Sequence, residues 1–480
     1  MTSSPHTLYL FRKDLRVRDN PALLEAAHSG QVLGAYILDD TTPGAFKLGE
    51  ASRCWLHHSL ASLNTSLGGT LNLYKGEVPK VIGSLLERYP SITSIHWNRC
   101  YEPWRISQDK ALKETLKARG LTVTSHNASL LWEPWQILTK AGTPYQVFTP
   151  YYTKGCLNAP APRAPVSSAA QAVYFKDADA LPLNDLSLLP TRPWHEDLMS
   201  HWQVGEAAAY ARLEAFCETR AHAYAKDRDF PSLSATSLLS PHLAFGEISP
   251  HQIWWHVHGQ ITQSEHFSQG HETFLKELAW REFSYYLLYH FPDLPVRAFQ
   301  KKFDAFAWSH ENPHLEAWQR GQTGYPLVDA GMRELWQTGT LHNRVRMVVA
   351  SFLVKNLGIH WHEGAKWFWD CLVDADLASN SASWQWVAGC GADAAPYFRI
   401  FNPTTQGQKF DPDGTYTRRY VPELAALPDK YLFAPSLAPA HALQQAGVRL
   451  GTNYPHPIVD LSASRQAALE AYGVLSKGLI

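Results

Sequence analysis

Over the first 130 residues, short apolar runs alternate with stretches whose apolar residues recur at helical spacing. The runs Thr7–Phe11, Val32–Leu38, Thr70–Tyr74, Ile92–Trp97 and Leu121–Ser125 predict strands. The stretches Pro21–His28, Ser52–Leu67, Val78–Arg88 and Ile106–Arg119 predict amphipathic helices. A helix between successive strands implies parallel pairing, so this part is expected to be an α/β doubly wound parallel sheet.

The rhythm breaks after residue 130. The stretches NAPAPRAPVSSAAQ and LPLNDLSLLPTRPW are rich in proline, alanine and serine and read as an irregular connector over 131–200. From Gly205 onward the pattern is helical, as in GEAAAYARLEAFCETRAHAY, HETFLKELAWREFSYYLLYHF, YPLVDAGMRELWQTG and NRVRMVVASFLVKNL. At 480 residues the chain exceeds one core. The expectation is an α/β domain over 1–130, the connector, and an all-α domain over 201–480.

Composition changes this picture in one respect. Eighteen tryptophans are many for the length, and fit either large aromatic cores or a site that stacks a cofactor or bases. The net charge of −1 does not favour nucleic-acid binding, so any DNA contact must come from a local basic face. The six cysteines are far apart with no CxxC pair, which fits reduced thiols and no metal cluster. The N-terminus MTSSPHTLYLF lacks a basic start before an apolar region, and the longest apolar run, Met347–Val354, is too short to span a bilayer. A cytoplasmic protein is expected.

Several chemistries lack their motif: there is no GxGxxG after the first strand, no phosphate loop, no GxSxG elbow and no HExxH. His360, His362 and Glu363 lie close together in HWHE, but without metal-ligand spacing they read as an exposed helix start. Three helical clusters stand out. Glu277, Trp280 and Arg281 share one helix face; Asn343 and Met347 flank Arg344 and Arg346; Asp374, Asp376, Asn380 and Trp384 fall within three helical turns. Taken singly, a Glu–Arg pair is usually a surface ion pair and a tryptophan is usually core.

Taken together and in order, FRKDLRVRDNPAL, TSLLSPHLAFGEISP, WREF, TGYPLVDAGMRELWQTGTLHNRVRMVVASFLVK and DLASNSASWQWVAGCGADAAPYFRIFNP resemble the photolyase/cryptochrome family, from about residue 7 to 430. The resemblance implies FAD, active in its reduced form FADH⁻, held in a U-shape in the helical domain. Tyr224, Thr236, Ser237, Leu238, Leu239 and Ser240 match positions along its phosphates and ribityl chain. Hydroxyls and N–H groups near a helix start suit a pyrophosphate. Arg346 and Asp374 match an ion pair beside the isoalloxazine, with Arg281 also at the cofactor, Asp376 at the ring or ribityl edge and Asn380 facing N5.

By the same resemblance, Trp280 and Trp386 match aromatic walls that grip a pyrimidine dimer flipped out of ultraviolet-damaged DNA. Glu277 and Asn343 match hydrogen-bonding groups to its bases, Met347 a further pocket contact, and Arg228, Arg344 and Arg399 phosphate contacts. Trp384, Trp361 and Trp308 match a tryptophan chain from flavin to surface. The implied activity is light-driven repair of cyclobutane pyrimidine dimers by an electron from excited FADH⁻.

Two other branches resemble the chain as well. A (6-4) photolyase typically places a catalytic histidine where HNRVRM has Asn343 and Met347, though His342 is adjacent. A signalling cryptochrome has aspartate (plants) or cysteine (insects) where this chain has Asn380. An antenna chromophore is also implied near WNRCYEPWRISQD, with methenyltetrahydrofolate preferred. Trp104 and Arg105 stand where a folate-binding relative has asparagine and glutamate. A monomer would leave the lesion pocket open.

Overall fold

Five strands form where the short apolar runs lie in the computed structural model: β1 (Thr7–Phe11), β2 (Val32–Leu38), β3 (Asn72–Lys75), β4 (Ser94–Asn98) and β5 (Thr122–His126). All pair in parallel, in the order β3-β2-β1-β4-β5. Successive side chains of a strand face opposite ways. Tyr9 and Phe11 of β1 therefore pack with Trp55, Leu60 and Phe245 on one face, and Leu8 and Leu10 with Ile82, Leu85 and Trp97 on the other. Both faces are covered, which is why these strands read as unbroken apolar runs.

The crossover helices are α1 (Pro21–His28), α2 (Glu50–Ser66), α3 (Val78–Arg88) and α4 (Pro103–Ala118). Asn20 caps α1 by accepting from the Leu23 N–H at 3.1 Å. Helices α2 and α4 begin earlier than the apolar stripe suggested, at Glu50 and Pro103 instead of Ser52 and Ile106. In α4 the added residues Pro103, Trp104 and Arg105 are only partly buried and lie outside its buried stripe, and the proline just inside the helix suits an N-terminus whose N–H groups lack helical partners.

The structure describes residues 5–263, 269–309 and 313–477, in two compact units. One comprises Met1–His222, Ser237–Pro292 and Val373–Ala378; the other Ala223–Thr236, Asp293–Leu372 and Ser379–Ile480. Helices Glu206–Thr219 and Gln269–His290 thus belong with the sheet, a different partition from the domains expected to meet near residues 130 and 200. Helical periodicity shows that a helix has a buried face, not which core receives it.

In the sheet unit, the charged segment after β1 grips residues 240–249. The Leu15 N–H donates to the Phe245 carbonyl at 3.1 Å, and Arg16 Nη1 to the Gly246 carbonyl at 2.8 Å. Gly246 has φ +69°, and a Cβ there would stand 2.0 Å from the Lys13 carbonyl oxygen. Only glycine fits this approach. The buried Glu247 carboxylate accepts from Trp55 Nε1 at 3.0 Å and pairs with His242.

The second unit is helical. Helices Pro326–Thr338, Asn343–Ser351 and Trp361–Cys371, and Leu377–Ala388 from Ser379 onward, surround buried Trp318, Leu335, Val349 and Phe352. Histidines cap two of these helices: His342 Nδ1 accepts from the Arg344 N–H at 3.2 Å, and His360 Nδ1 from the His362 N–H at 3.1 Å. HWHE is a helix start, as expected, but it is not exposed: Trp361 is buried and both histidines are partly buried. All six cysteines are buried free thiols. Among the described residues, no helix is long and apolar enough to cross a membrane.

Candidate active site

In the sheet unit, helix Gln269–His290 presents Glu277, Trp280 and Arg281, all partly buried. Trp280 stacks on Phe148, with ring centroids 3.7 Å apart and planes 10° from parallel. Arg281 Nη1 donates to the Ser129 carbonyl at 2.8 Å, and its guanidinium lies 4.7 Å from the Tyr285 ring. Tyr285, one turn further on, donates its hydroxyl to Asp376. Lys13 Nζ also reaches Asp376, at 3.5 Å, while pairing with Glu102 at 2.6 Å. Burial alone would depress the Lys13 ammonium, but Glu102, Tyr285 and Asp376 outweigh it and hold its pKa above the ordinary lysine value. Glu282 is fully enclosed and accepts from the Leu131 N–H at 2.8 Å; burial pushes its pKa up to about 8.

The segment expected at the flavin phosphates is locally unusual. Leu238 has φ +52°, a left-handed conformation that costs a non-glycine residue about 1 kcal/mol or more. Ser237 Oγ accepts from the Leu239 N–H at 3.4 Å, and Ser240 opens the helix Ser240–Phe245 and donates to Asp374 at 2.7 Å. Leu239 is buried, whereas Thr236 and Ser237 are partly buried.

The expected cluster of four residues within three helical turns is not one helix. Asp374 and Asp376 are not on the helix with Asn380 and Trp384. They lie on the turn between Cys371 and Leu377, so three helical turns do not describe the four residues. The turn's polar spacing mimicked a helix face.

In the helical unit, Asn380 Nδ2 donates to the Ala365 carbonyl at 3.1 Å, which leaves the amide oxygen as the group available to accept. Trp384 is buried against Phe368 and Trp318, with ring centroids at 5.0 and 6.3 Å. Its ring also covers Gly364, one turn into the helix that begins at Trp361. Trp361 continues through His360 to Trp308, each step 5.5 Å between ring centroids, and Trp308 is partly exposed. Tryptophan, histidine and tryptophan thus form one aromatic file.

Asn343 is exposed at the first turn of its helix, with Met347 and Arg346 partly buried on it; Trp386 is partly buried too. Arg346 Nε donates to the Leu341 carbonyl at 2.7 Å. Burial lowers the His342 pKa to about 4, so its ring is neutral and engaged as a cap. Arg344 pairs with Asp229 at 2.8 Å and sits 4.2 Å from the Phe410 ring, while Arg228 lies 5.2 Å from buried Tyr224. Arg399 is exposed, and its carbonyl accepts from buried Lys355 at 2.9 Å.

Comparison with known proteins adds the decisive observation. Residues 7–168 match the family model for DNA photolyase, and residues 274–474 that for the FAD binding domain of DNA photolyase. The chain is 49% identical to a deoxyribodipyrimidine photo-lyase of Agrobacterium fabrum, across 97% of both chains. This chain belongs to the DNA photolyase family. It is also 38% identical to cryptochrome-2 of Arabidopsis thaliana, over 98% of this chain and 79% of that one. Among solved structures it is similar to a bacterial class III photolyase from Agrobacterium tumefaciens, with a TM-score of 0.94, 46% identity and 99% of each chain covered.

Photolyase membership bears out the fold class and FAD as the expected cofactor. It draws attention to side chains that motif reasoning passed over. Lys13, Glu102 and Tyr285 surround Asp376, Phe148 backs Trp280, and His360 and Gly364 join the tryptophans. In HWHE it is Trp361, already matched to the tryptophan chain, and the following Gly364 that carry the structural signal, and His360 joins them as a ring neighbour. A further crevice opens at the carboxyl ends of β1 and β2, lined by Phe11, Arg12, Tyr36, Ile37, Val78 and Arg105. Arg12 pairs with Asp109 at 2.7 Å, while its Nη2 is buried without a hydrogen-bond partner.

Proposed function

We propose that this photolyase-family chain is a deoxyribodipyrimidine photo-lyase that repairs cyclobutane pyrimidine dimers in ultraviolet-damaged DNA by light-driven electron transfer. The observation that carries the reading is the end-to-end match to the Agrobacterium fabrum photo-lyase. The residues present fit the cofactor. Asn380 turns its amide nitrogen to Ala365, so its oxygen is the group that would face N5, and reduced FAD carries an N–H there. Reduced FAD, when bound, supplies the photochemistry: an electron for the dimer, whose ring opens and returns it.

The protein's own part is positioning and electrostatics. Tyr224 and residues 236–240 would hold the phosphates and ribityl chain, and Arg281, Arg346, Asp374 and Asp376 the ring system. Trp280 and Trp386 would clasp the flipped dimer, with Glu277 and Asn343 hydrogen-bonded to its bases and Met347 against it. Arg228, Arg344 and Arg399 would meet phosphates; Arg344 would exchange its pairing with Asp229 for DNA. Trp384, Trp361 and Trp308 would carry an oxidising hole outward when the flavin has to be reduced by light.

An antenna chromophore, preferably methenyltetrahydrofolate, belongs to this reading. The crevice at the strand ends suits a ligand with an acidic group, since Arg12 and Arg105 line it and Arg12 Nη2 has no hydrogen-bond partner. The enzyme is read as a cytoplasmic monomer.

The similarity to cryptochrome-2 favours one second reading, a photoreceptor that does not repair. Asn380 in place of aspartate argues against it, and the neutral capping His342 argues against a (6-4) enzyme. Binding in the dark tests the choice. Reduced, FAD-loaded protein should retain a duplex with one thymine dimer far better than the same duplex undamaged or carrying a (6-4) lesion. Equal retention of all three would remove the lesion-recognition roles.

A further inference from the structure

We propose that Lys13 is a positioning residue that sets the charge presented to the flavin by Asp376, with Glu102 as its counterweight. The proposal rests on the reading above that Asp376 faces the flavin.

Lys13 lies in the charged segment directly after β1, and Asp376 follows 363 residues later. Lys13 Nζ is shared between two carboxylates, at 2.6 Å from Glu102 and 3.5 Å from Asp376. Both Lys13 and the Tyr285 hydroxyl address the same Asp376 oxygen, Oδ2. Asp376 is 8% exposed and Glu102 4%, so neither charge is screened by bulk water. Glu102 keeps one oxygen, Oε2, buried without a hydrogen-bond partner. Lys13, Glu102 and Tyr285 line one small cleft together with Tyr101, Ser129 and Arg281.

Sharing has an electrostatic consequence. A lone carboxylate beside a flavin disfavours the reduced anion, because like charges repel at low dielectric. One ammonium placed next to that carboxylate offsets the repulsion. Glu102, holding the same ammonium by the shorter contact, limits how far the offset goes. Lys13 and Glu102 therefore tune reduction of the cofactor through Asp376, without touching it themselves.

The test is spectroelectrochemical titration of FAD bound to the full-length chain. Lys13→Met should lower the midpoint potential, Lys13→Arg should restore it nearly to the wild-type value, and Glu102→Gln should raise it by releasing Lys13 to Asp376. Asp376→Asn, which removes the charge itself, should also raise it. A shift with Asp376→Asn but none with Lys13→Met or Glu102→Gln overturns the proposal and leaves Asp376 at the flavin. No shift with Asp376→Asn overturns the placement of Asp376 and the proposal with it. Should Lys13→Met fail to fold, the Glu102→Gln result alone decides, since a rise supports and constancy refutes.

Discussion

The ring of Trp384 lies directly on Gly364, so that a methyl group at this glycine would stand 2.0 Å from the indole. Gly364 sits one turn after Trp361, and its missing side chain is what lets Trp384, on the helix Leu377–Ala388, pack against the helix that begins at Trp361. Gly364→Ala should push the Trp384 ring aside, at an overpacking cost of about 1–3 kcal/mol. Light-driven reduction of oxidised FAD should slow markedly, as it should in Trp384→Phe, whose ring is much harder to oxidise. Repair by enzyme already reduced chemically should persist in both. Transient absorption after a blue flash separates the two steps, and loss of repair in pre-reduced Trp384→Phe would contradict the assignment.

Trp280 has one face on Phe148. Trp280→Ala should weaken binding of a dimer-containing duplex by roughly five- to 150-fold, the range expected for one lost aromatic–base stack. Undamaged duplex should be affected much less. Phe148→Ala should move lesion binding in the same direction by a smaller factor, because it leaves Trp280 present but unsupported. Fluorescence anisotropy with both duplexes reads this out; equal losses on both would make Trp280 a packing residue.

Lys355 is 2% exposed, donates to the Arg399 carbonyl and lies 5.3 Å from the Tyr397 ring. Burial, reinforced by Arg399, lowers its pKa from 10.5 to about 8. A lysine pKa depressed by folding means the folded state resists the proton that the unfolded state accepts. The penalty is full below pH 8 and disappears as pH rises toward 10.5. Lys355→Met should therefore stabilise the protein at pH 7, by up to roughly 3 kcal/mol. The advantage should shrink between pH 8 and 10.5 in denaturant titrations. A pH-independent difference would contradict a buried ammonium.

Glu282 carries the opposite sign. Burial raises its pKa from 4.5 to about 8, so stability falls as pH rises through that interval and the folded state has to release a proton. Glu282→Gln keeps an acceptor for the Leu131 N–H and removes the ionisation. Its stability relative to the native chain should rise from near zero at pH 4.5 to about 4–5 kcal/mol by pH 8, then level off. A flat difference across this range would show that the carboxyl ionises normally.

How much of this was legible in the sequence depends on how local the cause is. The strands and α1 and α3 were readable because a sheet covered on both faces demands unbroken apolar runs, and each helix needs one apolar stripe. The first turn of α4 was missed because it carries little of that stripe. Asp374 and Asp376 were assigned to a helix because polar residues at such intervals fit a turn equally well. Lys13 stands in the motif FRKDLRVRDNPAL, yet its partners Glu102 and Asp376 are distant in sequence, and only the folded chain joins them. Phe148 sat in a connector that offered no periodicity at all. The flavin and lesion residues came from the resemblance over the whole chain, not from any one cluster.

The most direct test of the account is repair of a DNA duplex carrying one defined thymine cyclobutane dimer, using purified protein with its FAD reduced, in blue or near-ultraviolet light and in darkness. The account predicts intact thymines in the illuminated sample and an unchanged dimer in the dark. An unchanged dimer under illumination, with reduced FAD bound, would contradict it.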